Sequence, residues 1–244
     1  MRECSKAVMR RVHDSRFVSR YFRGAAIDIG GAPDPLSLYV ELFPRLSSVK
    51  VWDIDDGDAQ YMSGVEDGSF DLVHSSHCLE HLVDPAVAIV NWVRICRPGG
   101  YIVFTVPDED LYEQGIFPSR KNHDHKWTFT VCKKRSWSSA SVNVVDLVSR
   151  VADSAVAERI ELVDATYRYS LPAFDQTKSP VAECAIEVIL RRRMEAELDA
   201  GGRLPAVEQP PAELRVHFNQ YLDDMITLKS ANRHSPPFSN DKEL

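Results

Sequence analysis

At 244 residues, 44% of them hydrophobic, the chain can bury one sizeable core with an appendage, so a single main domain is expected. A formal net charge of −7 argues against a nucleic-acid backbone as main partner, since phosphate neutralisation needs a surplus of Lys and Arg. The five cysteines (Cys4, Cys78, Cys96, Cys132, Cys184) are odd in number and contain no Cys-x-x-Cys pair, which excludes a disulfide framework or zinc knuckle and makes a cytoplasmic location the expectation. The basic stretch Met1 to Phe22 lacks the continuous apolar segment of a signal peptide, and no run approaches the roughly 18 to 20 apolar residues of a membrane span.

Residues 1–23 read as a helical lead-in, with Val8, Val12, Phe17, Val18, Tyr21 and Phe22 supplying an apolar side. Ala25 to Ile29 is a short apolar run ending in glycines, as a buried parallel strand would. A short helix is predicted over Leu36 to Leu46 and a second strand over Val49 to Ile54, followed by the turn Asp55-Asp56-Gly57-Asp58. Ser69 to His74 reads as the third strand. Asp84-Pro85 has the form of an N-cap with proline in the first turn, and Ala86, Ile89, Val90, Val93 and Cys96 recur at helical spacing until Pro98-Gly99-Gly100.

Tyr101 to Val106 is the next buried strand, so strands and helices have alternated, the pattern of a parallel sheet with helices on both faces. Residues 107–135 are polar and irregular, the expected substrate-facing insertion. Val144, Leu147, Val148 and Val151 mark another helix, and Ile160 to Tyr169 and Ala182 to Leu190 two last strands. The domain plan is a lead-in over 1–23, a main domain over 24–193 and a tail over 194–244 with one helix candidate at Ala212 to Leu228.

Asp28-Ile29-Gly30-Gly31 is a strand–glycine turn at the place where a doubly wound sheet binds its ligand. The full Gly-x-Gly-x-x-Gly fingerprint is absent, since Ala32 and Asp34 occupy later glycine positions. Asp53, at the end of the second strand, is placed to accept hydrogen bonds from ribose hydroxyls, and Asp58-Ala59 to meet an adenine amino group. In order, Asp28 to Gly31, Asp53, Gly57-Asp58-Ala59, Gly68 to Val73, Leu79-Glu80-His81, Asp84-Pro85 and Arg97-Pro98-Gly99-Gly100 resemble the class I S-adenosylmethionine (SAM)-dependent methyltransferases, especially the branch containing the ubiquinone and menaquinone biosynthesis enzymes. The resemblance covers roughly residues 24–107.

The resemblance implies a Rossmann-like α/β fold with an antiparallel last strand, SAM as methyl donor and S-adenosylhomocysteine as product. It implies that Asp28, Gly30 and Gly31 line the methionine end, Asp53 the ribose, Asp58 and Ala59 the adenine, and that Ser75, Ser76 and His77 border the methyl group. Only Ile54 to Gly57 separate Asp53 from Asp58 where the family has a helix and a strand. Either the sheet is a strand short, or Asp55 or Asp56 takes the ribose.

Methyl transfer from a sulfonium needs positioning and exclusion of water, and an oxygen acceptor of high pKa needs a base, for which histidine is best matched to neutral pH. Histidines cluster at His74, His77 and His81 and again at His123 and His125; His77 is the first candidate base, then His123 or His125. His77 to His81 fits the His-x-x-Glu-His pattern of some zinc proteases, but the helix that pattern requires starts only after His81. Some quinone-biosynthesis methyltransferases hold a divalent metal on Glu-x-x-Glu-His here; His77 replaces the first Glu, and no metal is expected.

Arg120, Lys121, Lys126, Lys133, Lys134 and Arg135 make the insertion basic and suit an anionic acceptor, and Trp127, Phe129 and Trp137 are candidates for an apolar or sugar-stacking wall. The expected function is methyl transfer to a small-molecule or glycan acceptor, most readily on oxygen. The rival readings are a SAM-binding scaffold or regulator without catalysis and a nicotinamide-dependent oxidoreductase; the latter lacks its third glycine and a Tyr-x-x-x-Lys pair.

Overall fold

Short strands that are apolar on both faces must be covered on both faces, and the sheet of this protein divides its side chains between two cores accordingly. The computed structural model describes residues 2–204, nearly all within one compact unit, Met1–Arg203. The helix expected at 212–228 lies outside the described residues. The elements are α1 (Glu3–His13), β1 (Gly24–Ile29), β2 (Leu46–Trp52), β3 (Phe70–Ser76), α2 (Pro85–Ile95), β4 (Cys96–Pro107), β5 (Thr128–Thr130), β6 (Ser141–Asn143), α3 (Val144–Ser149), β7 (Ala155–Val163), β8 (Ala185–Arg192) and α4 (Glu195–Asp199).

Six strands form the main sheet in the order β2-β1-β3-β4-β8-β7. The first four are parallel, whereas β8 runs antiparallel to both β4 and β7. Alternation along the strands sends Ile27, Ile29, Val73, Ile102 and Phe104 to one core, where Ile89, Trp92 and Val93 of α2 and Leu147 and Val148 of α3 cover them. Ala26, Leu72, Tyr101, Val103 and Ile189 face the other core, filled by Phe17, Phe22, Leu36 and Phe43. The N-terminal aromatics pack edge-on, Phe17 against Phe22 at 5.2 Å.

The helix α2 begins as expected. The Asp84 carboxylate accepts hydrogen bonds from the backbone of Ala86 and Val87, satisfying donors that have no partner within the helix. It ends at Ile95, and Arg97-Pro98-Gly99-Gly100 form an irregularity within β4, with Gly99 at φ +77° and the β3 partners passing from Phe70↔Cys96 to Leu72↔Tyr101. Gly100 permits this, because a Cβ there would stand 2.7 Å from the backbone oxygen of Asp71.

Other expectations are corrected by local chemistry. The lead-in is broken: α1 stops at His13, the Asp14 carboxylate captures the backbone and guanidinium of Arg16, and a single π-helical turn follows over Phe17–Tyr21. The segment after Pro35 is a 3-10 stretch, Leu36–Leu42, and not an α-helix to Leu46, which already belongs to β2. The strand expected to reach Tyr169 ends at Val163. The insertion contains order of its own, β5 pairing in parallel with β6.

Candidate active site

The glycine turn is held from below. Asp28, buried at the end of β1, accepts from the backbone N–H of Leu36 at 2.6 Å and contacts His74 Nδ1 at 2.5 Å. The other ring nitrogen of His74 lies 3.0 Å from the guanidinium of Arg11, whose Nε donates to Glu187 at 2.9 Å. Arg10 adds a two-pronged contact to Glu187, and the paired guanidinia hold that carboxyl down at about 2 against the burial that would raise it. Above this chain Gly30 adopts φ +71°, and a Cβ there would meet Cys78 at 2.7 Å.

The turn opens onto a cavity of about 720 Å³, within the usual range of cofactor-sized sites. Gly30, Ala32, Trp52, Asp53, Asp58 and Ala59 line it. The Asp53 carboxylate is tied to the backbone N–H of Ala32 and of Ile54, each through a different oxygen, and stays partly exposed to the cavity. Trp92 donates to the Ala59 carbonyl and Trp52 to that of Gly57, which fixes the Gly57-Asp58-Ala59 turn without a preceding strand. β2 is the edge of the sheet, so the sheet is indeed one strand short; Asp55 and Asp56 are exposed and do not line the cavity.

The same cavity is lined also by His77, Glu80, His81, Asp124 and Lys126. His77 has φ +53°, and its side chain is nearly covered, with Nδ1 3.4 Å from Glu80 Oε1, an ion-pair distance rather than a hydrogen bond. Burial would lower its pKa, but the Glu80 carboxylate outweighs it, so His77 is raised above the ordinary imidazole value while Glu80 is lowered. Cys78 beside it is pushed up to about 12 by burial and is no nucleophile.

The insertion is stapled to these residues. Lys126 N–H donates to the Glu80 carbonyl at 2.8 Å, the Lys126 ammonium to the His81 carbonyl, and Trp127 Nε1 to the Leu82 carbonyl at 3.0 Å. This brings His125 against Glu80, with its Nδ1 2.5 Å from Glu113. His123, two residues earlier, is exposed and does not line the cavity.

Of the residues singled out in the sequence, Gly30, Asp53, Asp58, Ala59 and His77 meet at the large cavity. Asp28, Gly31 and Ser76 border a small adjoining cleft of about 40 Å³ together with Gly30 and His77. Ser75 is buried with its hydroxyl on the Ile29 carbonyl. Trp127, Phe129 and Trp137 do not form the cavity wall; Phe129 is core and the Trp137 indole is held by Asp110. Lys133 is taken up by Glu109 and Asp110, leaving Lys126 as the insertion's cation at the cavity. Glu80 was legible within His77 to His81, but its meeting with Glu113, Asp124 and His125 was not, because nothing in the local sequence links residues 80, 113 and 124.

Residues 40–104 match the family model described as a methyltransferase domain. An uncharacterized methyltransferase of Schizosaccharomyces pombe is 36% identical over 58 residues, 24% of this chain and 20% of its own length. An uncharacterized 37.1 kDa protein in a Streptomyces fradiae transposon is 35% identical over 66 residues, 27% of this chain and 19% of its own. The chain thus spans about a fifth of the curated relatives it matches. Among solved structures, a Listeria monocytogenes protein provisionally named a SAM-dependent methyltransferase superposes with a TM-score of 0.50 at 11% identity, over 76% of this chain and 98% of that one. The chain has the α/β, Rossmann-like fold of that protein, a mostly parallel sheet with antiparallel strands at one side. The ubiquinone branch has no such support.

Proposed function

We propose that the protein transfers a methyl group from SAM to a small-molecule or glycan acceptor, on oxygen. The observation that carries this reading is that one cavity is lined both by the glycine turn, Asp53 and Asp58-Ala59 and by a histidine–carboxylate cluster. The fit to the cofactor is supported by the cavity's size and by a partly exposed acidic side chain whose orientation two backbone N–H groups already hold. When bound, SAM supplies an electrophilic methyl group on a sulfonium.

In this reading Asp53 binds the ribose, Asp58 and Ala59 the adenine end, and Asp28, Gly30 and Gly31 shape the methionine end, with Ser75 and Ser76 at the adjoining strand terminus. Asp28 acts through position, since both its oxygens are already engaged. His77 takes the acceptor's proton: it lies in the cavity wall, next to a carboxylate that stabilises its charged form. Lys126 at the rim attracts an anionic acceptor.

Titration calorimetry with the full chain should show SAM and S-adenosylhomocysteine binding, weakened at least tenfold in Asp53→Ala. Absence of binding by the intact protein overturns the cofactor assignment. Mass spectrometry of a metabolite extract incubated with methyl-labelled SAM then identifies the acceptor, and binding without label transfer to any metabolite would favour a non-catalytic SAM-binding protein.

A further inference from the structure

Buried polar groups in a folded protein normally find partners, because an unpaired one costs about 1–3 kcal/mol. The histidine–carboxylate cluster breaks this rule at one spot. Both oxygens of Glu80, Nδ1 of His77 and Nε2 of His125 are buried and have no hydrogen-bond partner among the described residues. They converge: His125 Nε2 is 3.9 Å, His81 Nε2 4.0 Å and His77 Nδ1 3.4 Å from the same oxygen, Glu80 Oε1. Donor atoms of Glu80, His81 and His125 all lie within 4.8 Å of one another.

The far side of each imidazole explains which nitrogen faces inward. His125 Nδ1 is engaged by Glu113 at 2.5 Å and His81 Nδ1 by Asp124 at 3.0 Å. A carboxylate on one nitrogen holds the proton there and leaves the other as a lone-pair donor, the arrangement that orients metal-bound histidines. The frame is rigid, since the Lys126 N–H to Glu80 carbonyl bond fixes the insertion against the Glu80-His81 segment.

From these observations we infer that Glu80, His81 and His125 form a binding site for a divalent first-row transition ion such as zinc or iron(II). Two imidazoles and one carboxylate favour such ions over magnesium or calcium, which prefer all-oxygen shells. Bonds of about 2.0–2.2 Å hold neighbouring donors roughly 3–3.5 Å apart, so the donors need close by only a fraction of an ångström each. His77 stands beside the site against the shared carboxylate. Three protein ligands leave a position open towards the cavity, which Glu80 and His81 line. The inference goes beyond methyl transfer and does not depend on it.

The test is a titration of chelator-stripped full-length protein with cobalt(II), followed by absorption spectroscopy, with no SAM present. Saturation at one equivalent, a visible d–d spectrum and displacement by zinc but not by magnesium are expected. His125→Ala should weaken cobalt binding at least tenfold while the exposed neighbour substitution His123→Ala leaves it unchanged. Glu113→Gln, acting through His125, should weaken it by about 10–100-fold. Circular dichroism of the metal-free variants checks folding, and Glu80→Gln replaces His125→Ala should the latter not fold. Absence of saturable binding, binding unchanged in the folded ligand variant, or equal displacement by magnesium overturns the site. SAM binding is measured separately on the same protein, so failure of one assignment is distinguishable from failure of the other.

Discussion

Two buried clusters of charge flank the cavity, and they differ in one respect. In the chain Asp28–His74–Arg11–Glu187–Arg10 beneath the glycine turn each carboxylate meets a donor and each inter-residue contact is 2.5–3.0 Å long, with Arg11 Nη2 the one buried atom of the chain left without a partner among the described residues. The Glu80 cluster has three imidazole nitrogens 3.4–4.0 Å from Glu80 Oε1, and both Glu80 oxygens, His77 Nδ1 and His125 Nε2 are buried without a partner among the described residues. The first has the form of architecture, a charged strut joining α1, β1, β3 and β8. The second has the form of a site whose interaction is completed by something bound. Burial alone therefore does not identify a functional cluster; several unsatisfied buried atoms converging on one point do.

Three measurements would break or sharpen this contrast. The largest effect is expected from Arg11→Ala, which strips one of two partners from buried His74 and one of two guanidinia from Glu187. A loss of about 3 kcal/mol or more in urea unfolding is expected, as for a broken buried ion pair. A loss below about 1 kcal/mol would show that the strut is dispensable.

The strut also predicts an acid limit. Because Glu187 titrates at about 2 in the folded protein against 4.5 ordinarily, its stabilising contribution is fully present above pH 4.5 and is lost as the pH falls towards 2. Glu187→Gln should flatten the fall in unfolding free energy across that window, and an unchanged slope would contradict it. The smallest effect is expected from Glu80→Gln in metal-free protein, within about 1 kcal/mol, since the lost attraction of the neighbouring imidazoles is offset by removal of a desolvated charge that makes no hydrogen bond. A loss as large as that of Arg11→Ala would make the second cluster structural too.

The α2 helix and the parallel strands were legible because each rests on short-range rules: a carboxylate two residues before its backbone donors, helical spacing of apolar residues, alternation across a pleat. The missing strand was legible from the mere four residues between Asp53 and Asp58. The break at Asp14 and the irregularity of β4 at Gly99-Gly100 were not, since a side-chain capture of Arg16 and a close approach to Asp71 belong to the packed state. The aromatic wall was misplaced on Trp127 and Trp137 for the same reason, Trp52 being the tryptophan at the cavity.

By itself the sequence determined the sheet, the glycine turn and the acidic residues at the ends of its strands, because order along the chain dictates order at the carboxyl edge of a parallel sheet. Only the tertiary structure decided which histidines belong together. Between His81 and His125 lie a helix, the longest strand and much of the insertion, and it is the Lys126–Glu80 backbone bond that sets them side by side. Spacing in sequence carries no information about a contact made by a loop that folds back, so His123 and His125 read alike until one was found buried against Glu80 and the other in solvent.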